Sequence, residues 1–168
     1  ATLPPGASTN PMYISLASNG TVGGVASADE DILCFDGTSW SLFFDGSDVG
    51  VSSMDTFGFS ILNSNSALFT FNNSITLGGT AYAPSDIVRF DATSFGANTD
   101  GTFSMYLDGS DVGLDVSAEN LDAVTVLPDG RVLISTTGNP SVPGVSGNDE
   151  DILAFTPTTL GDVTSGIW

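Results

Sequence analysis

The chain has 168 residues, with 20 Asp and Glu against two Arg, no Lys and no His, for a formal net charge of −18. That surplus excludes nucleic acid as a partner, because a polyanion is bound through cations that displace its counterions; lacking His and Lys, the chain also has neither the neutral-pH proton shuttle nor a Schiff-base nucleophile. A hydrophobic share of 40% and a mean hydropathy of +0.21 still demand a packed core, while a charged share of only 13% predicts a surface of Ser, Thr, Asn and Gly, suited to a secreted or cell-surface protein.

Residues 1–10 are Pro-containing and rich in Ser and Thr, and read as an extended segment ending a preceding unit. A start of Ala1-Thr2-Leu3-Pro4-Pro5 without Met reads as the mature product of signal removal. From Pro11 a repeat begins. Residues 11–33 (PMYISLASNGTVGGVASADEDIL), 66–88 (SALFTFNNSITLGGTAYAPSDIV) and 131–153 (RVLISTTGNPSVPGVSGNDEDIL) align without a gap, defining unit 1 as 11–65, unit 2 as 66–130 and an incomplete unit 3 as 131–168.

In unit 1, Gly23-Gly24 reads as a strand-end turn, and the single cysteine, Cys34, within Ile32-Leu33-Cys34-Phe35, as a buried inert thiol. Asn19-Gly20-Thr21 and, in unit 2, Asn72-Asn73-Ser74 are formal glycosylation sequons. SWSLFFDGSDVG at 39–50 returns as TFSMYLDGSDVG at 102–113, and Trp40, Phe103 and Trp168 share one repeat position. In unit 2, short apolar runs bounded by turn residues predict four strands, about Thr56–Leu62, Ala67–Phe71, Asp86–Phe90 and Thr102–Leu107. Asn63-Ser64-Asn65 and Pro128-Asp129-Gly130 supply hairpin turns. Insertions around Phe95–Gly101 and Leu160–Thr164 separate units 2 and 3 from unit 1, and Ser165-Gly166-Ile167-Trp168 stops where a closing fourth strand would begin. No ten-residue stretch has a helical apolar period, and no run of about 18 apolar residues would span a membrane.

The predicted fold is therefore all-β: nearly three four-stranded antiparallel repeats, propeller-like or of a related threefold architecture. The phrases D-G-S-D-V-G, L-D-A-V-T-V-L-P-D-G-R-V-L-I-S-T-T-G and S-V-P-G-V-S-G-N-D-E-D-I-L-A-F resemble the acidic repeats of secreted bacterial proteins of uncertain function. The resemblance spans nearly the whole chain; it implies propeller-like blades and export, and it implies no active site.

Carboxylates recur at fixed points of the unit. Asp29, Glu30 and Asp31 match Asp149, Glu150 and Asp151, and Asp45 and Asp48 match Asp108 and Asp111. Acidic loops beside Gly and Ser are the hard-oxygen environment that Ca²⁺ takes, and three adjacent carboxylates repel unless neutralised, so these ten residues are candidate calcium ligands. Their bland alternative is turn capping, in which Asp accepts nearby backbone N–H groups. For function, the ragged strand phase points to a non-enzymatic structural subunit that self-assembles through incomplete terminal strands, as a fibre or a closed dimer. A polysaccharide-binding module using exposed Tyr or Trp is the rival, and a carboxylate-pair glycoside hydrolase a third reading.

Overall fold

A computed structural model describes residues 11–168; the extended segment expected over residues 1–10 lies outside the described residues. In chain order, the first unit forms β1 (Met12–Ile14), β2 (Gly20–Val22), β3 (Val25–Ser27), β4 (Ile32–Phe35) and β5 (Trp40–Phe44). The second forms β6 (Thr56–Asn63), β7 (Ser66–Phe71), β8 (Ile75–Leu77), β9 (Thr80–Tyr82), β10 (Ile87–Ser94) and β11 (Asp100–Leu107). The third forms β12 (Leu121–Val126), β13 (Val132–Thr136), β14 (Ser141–Val142), β15 (Val145–Ser146), β16 (Leu153–Thr159) and β17 (Ser165–Ile167). The described helical content is three single 3₁₀ turns, at Ser47–Val49, Ser110–Val112 and Ser117–Glu119.

Each unit is an antiparallel meander carrying a small hairpin. The sheets run β1-β4-β5, β6-β7-β10-β11 and β12-β13-β16-β17, and β2-β3, β8-β9 and β14-β15 stand apart as two-stranded ribbons. All four strands expected for unit 2 form, and a β8-β9 ribbon with a two-residue turn is added to them. Gly78 and Gly79 make that turn at φ +58° and +89°, values that a two-residue hairpin loop of this hand needs and a side chain resists. The sequence repeat is phased from residues 66 and 131, but the sheets begin earlier, at Thr56 and Leu121. One expectation is corrected: unit 3 does have the beginning of its fourth strand, since β17 pairs with β16 through Thr156 opposite Ile167.

The sheets stack through two apolar cores, one at each junction. Ile32, Phe44 and Val51 of unit 1 meet Ala67, Phe69, Phe71, Val88 and Phe90 of unit 2. On the other side, Leu68, Ile87 and Leu107 of unit 2 meet Leu121, Val124, Val132, Ile134 and Phe155 of unit 3. Strand β7 is consequently buried at every residue. Its successive side chains point to opposite faces of the sheet, so Leu68 enters one core while Ala67, Phe69 and Phe71 enter the other. In β13 only alternate residues are buried, because sheet 3 has a neighbour on one face. No barrel closes among the described residues.

The shared aromatic position is structurally equivalent in all three units. Trp40 packs on Phe35 with ring centroids 5.1 Å apart, Phe103 on Phe90 at 4.8 Å and Trp168 on Phe155 at 4.9 Å. Such pairs contribute about 0.5–1.5 kcal/mol beyond area burial, and here they pin the last strand of each sheet to its neighbour. Cys34 is a buried free thiol whose pKa burial pushes up, as expected of an unreactive one.

Candidate functional site

The feature that recurs with the same atoms in the same roles is a clasp between consecutive units. In each Asp-Gly-Ser-Asp-Val-Gly loop the first Asp caps the turn: Asp45 Oδ1 accepts from Ser47 N (3.2 Å) and Ser47 Oγ (2.6 Å), and Asp108 Oδ1 from Ser110 N (3.0 Å) and Ser110 Oγ (2.7 Å). This is the Asx geometry that makes Asp common at turn starts. It frees the second Asp to reach outward. Asp48 Oδ2 accepts from Thr99 N at 2.9 Å, and Asp111 Oδ2 from Thr164 N at 2.8 Å.

The receiving part is the insertion that unit 1 lacks. The hydroxyls of Thr99 and Thr164 accept from Asp45 N and Asp108 N, both at 2.9 Å, and donate to the carbonyls of Gly96 (2.8 Å) and Gly161 (2.9 Å). Gly96 N donates to Phe43 O at 2.7 Å and Gly161 N to Tyr106 O at 2.9 Å, which closes a single parallel bridge at Phe44–Gly96 and at Leu107–Gly161. Both threonines are about 4% exposed, so the threonine end of each bond is shielded from water, where an unmade one is most costly. The inserted loops are legible in the sequence; the roles of Thr99, Thr164, Gly96 and Gly161 within them are not. Their shared signal is an apolar residue, Gly, two residues and Thr, at Phe95–Thr99 and Leu160–Thr164.

A second set of carboxylates locks each loop to its own unit. Asp31 Oδ2 accepts from Ala28 N (2.8 Å) and its Oδ1 from Gly46 N (3.0 Å); Asp86 does the same with Ala83 N (2.7 Å) and Gly109 N (2.9 Å). Burial pushes the carboxyls of Asp31 and Asp86 up from the ordinary range, against those N–H bonds, which pull them down. Gly46 and Gly109 are needed because the loop lies directly on the preceding turn: a Cβ on Gly109 would sit 2.3 Å from Ser85 O, and one on Gly46 would sit 2.9 Å from Glu30 O. Burial likewise pushes up Glu30, whose carbonyl accepts from Thr56 Oγ1 of unit 2 at 3.1 Å.

In unit 3 the counterparts are open. Asp151 Oδ2 still accepts from Asn148 N at 2.8 Å, but Asp149, Glu150 and Asp151 are all exposed, and among the described residues no loop glycine reaches Asp151. Ile152 is 70% exposed, whereas its equivalents Ile32 and Ile87 are 0% exposed. Of the large apolar side chains exposed among the described residues, Val145, Ile152, Leu160, Val163 and Ile167 all belong to this unit. A carboxylate unsuspected from sequence, Glu119, is buried; it accepts from Asp115 N (2.7 Å) and Val116 N (3.1 Å) through one oxygen and from Ser141 N (3.0 Å) through the other, tying the second linker to β14.

The ten carboxylates expected as calcium ligands have the following surroundings. Among the described residues no three His, Cys, Asp or Glu side chains converge as a metal-ligand group. Asp31, Asp45, Asp48, Asp108 and Asp111 are engaged as acceptors of backbone N–H groups, and Asp151 is half so engaged. Asp29 and Asp149 use their own N–H groups to donate to Asn19 and Asn139. Turn and loop capping, the plainer alternative, accounts for most of these positions. Among the described residues Tyr82 is buried, and Tyr13, Trp40, Tyr106 and Trp168 are half-buried. No family model, curated protein or solved structure matches the chain.

Proposed function

We propose that the chain is a non-enzymatic, exported structural subunit built of propeller-like blades, which joins further units of its own kind through open strand edges. The observation that carries this reading is the clasp, made twice with the same donors and acceptors between consecutive units, together with the exposed Ile152 and Ile167 of unit 3. A charged share of 13%, the absence of Lys and the presence of only Arg89 and Arg131 fit durability outside a cell, where trypsin-like proteases would find two cut sites. Each Arg is also paired with an Asp two residues away, at 2.7 Å for Arg89–Asp91 and 2.9 Å for Arg131–Asp129.

Association by this joint has a direction. Unit 1 replaces the receiving insertion with the turn Asp36-Gly37-Thr38-Ser39, in which Asp36 Oδ1 accepts from Thr38 N and Ser39 N, both at 2.8 Å. Unit 1 therefore has no counterpart of Thr99 with which to receive a loop. Sedimentation velocity over a concentration series, with electron microscopy of the most concentrated sample, tests the reading. Dimers or polymers that dissociate in an Ile152→Asp, Ile167→Asp double variant support it. A monomer at every concentration, or turnover of a glycan that one Asp→Asn change abolishes, refutes it.

A further inference from the structure

We infer that the carboxylates of Asp29 and Glu30 hold one hydrated divalent cation, of the hard class of Ca²⁺ and Mg²⁺, at the joint between units 1 and 2, beside the charge of Asp55. The inference is independent of the assembly reading above, because the joint in question is made within one chain.

Backbone contacts across that joint bring the three residues together. Thr56 N donates to Asp29 O at 3.2 Å and Thr56 Oγ1 to Glu30 O at 3.1 Å, which sets Asp55, the residue before β6, against the Asp29-Glu30 turn. The joint between units 2 and 3 repeats the backbone contact, with Leu121 N donating to Pro84 O at 3.0 Å. There the corresponding residues are Pro84, Ser85 and Asn120. The same turn therefore closes, and the same sheets stack, with no carboxyl at any of the three positions. The fold does not require the acids of the first joint.

Capping does not account for them either. Glu30 is 5% exposed and Glu119 is 3% exposed, but Glu119 accepts three backbone N–H groups from other residues. The Glu30 carboxylate takes only its own backbone N–H and otherwise lies within hydrogen-bonding reach of the Asp29 carboxylate, a second acceptor. Burial first, and then the neighbouring Asp29, pushes the carboxyls of Glu30 and Asp55 above their ordinary range. Both arginines are engaged elsewhere, with Asp91 and Asp129, and the chain has no Lys or His. A buried charge without a partner is costly, and a bound cation is one way that proteins relieve it. Because no third carboxylate converges on the pair, water fills the rest of the ion's shell, as it does where Mg²⁺ is held by one or two carboxylates. A site this open should bind weakly, with a Kd of about 10⁻⁴–10⁻³ M, the range of extracellular Ca²⁺ modules.

The probe is CaCl₂, titrated by calorimetry into chelator-stripped protein at low ionic strength. Saturable 1:1 binding is expected, weakened about tenfold or more by Glu30→Gln and by Asp29→Asn, and kept by Asp162→Asn, which removes the same charge from an exposed position of unit 3. Glu30→Gln keeps the size of the side chain and lets its amide donate to Asp29, so in EDTA this variant should melt higher than the parent while no longer responding to Ca²⁺. No saturable binding, binding indifferent to Glu30→Gln, or an equal loss in Asp162→Asn overturns the inference. So does a higher melting temperature of Glu30→Gln beside a parent that binds no Ca²⁺, which would assign a shared proton to the carboxyl pair. Sedimentation of the same samples reads self-association separately, and neither of its outcomes bears on this site.

Discussion

At the scale of the residue, the molecule relies on short polar side chains that complete backbone hydrogen bonds. The buried hydroxyls of Thr99 and Thr164 each accept one backbone N–H and donate to one carbonyl, so Thr→Val at either site keeps the shape and removes both bonds. Leaving Asp45 N–H or Asp108 N–H without its partner should cost about 1–3 kcal/mol. We expect Thr99→Val and Thr164→Val to lower the urea midpoint by similar amounts, because their surroundings repeat; a loss at one site alone would mean that the two joints are not equivalent. The recurrence of the carboxylates at fixed points of the unit is legible in the sequence. What spacing could not tell is where each carboxylate points: Asp31 turns inward to two N–H groups, while Asp151, in the same position of the repeat, meets one. If capping of backbone N–H groups is the whole role of these carboxylates, EDTA in low salt should leave the melting temperature unchanged. A lowered one would return calcium to these loops.

At the scale of the element, the joint depends on backbone touching backbone. Gly109 lies on Ser85, and Gly58 of β6 faces Ala123 of β12, where a Cβ would meet Ala123 Cα at 2.8 Å and Asp122 O at 3.0 Å. Gly109→Ala must push the loop off its turn, at a cost of about 1–3 kcal/mol for the overpacking in addition to the hydrogen bond to Asp86. Thermal melts should show it more damaging than Gly144→Ala, which is at a hairpin tip with open space around it and costs only the strain of φ +85°. Equal losses would mean that the contact with Ser85 is relieved by a small shift. The four strands of unit 2 and both hairpin turns were legible from alternation and turn residues. The ribbons β2-β3, β8-β9 and β14-β15 were not, because two or three residues per strand carry too little periodicity to be recognised.

At the scale of the whole molecule, a net charge of −18 with only two ion pairs among the described residues sets the response to pH. Burial raises the folded-state pKa of Asp31, Asp86 and Glu30, so as pH falls from neutral the folded protein takes up protons before the unfolded chain does. Stability therefore rises on mild acidification and is lost as pH climbs back through those raised values. Asp36 and Asp129 act in the opposite sense, held low by N–H groups of Ser39 and Thr38 and by Arg131; their contribution disappears as pH drops through their own lowered values, below about pH 4. Melting temperature measured from pH 7 down to 3 should pass through a maximum on the acidic side of neutrality. A steady fall from pH 7 would show that the buried carboxylates do not govern the titration. Added NaCl at pH 7 should raise stability by screening the surplus negative charge.

The sequence by itself determined the all-β class, the repeat and the equivalence of its copies, since alternation, turn chemistry and recurrence are local properties that survive any arrangement of the sheets. It also determined the acidic, Lys-free surface. Only the tertiary structure decided what the recurring residues do. The bonds from Asp48 to Thr99 and from Asp111 to Thr164 join positions 51 and 53 residues apart, and no local pattern encodes such a meeting. Burial was decided at the same level: Ile87 and Ile152 stand in matching sequence, and one is covered while the other is bare, because a strand's neighbours, and not its own residues, determine which of its faces meet water.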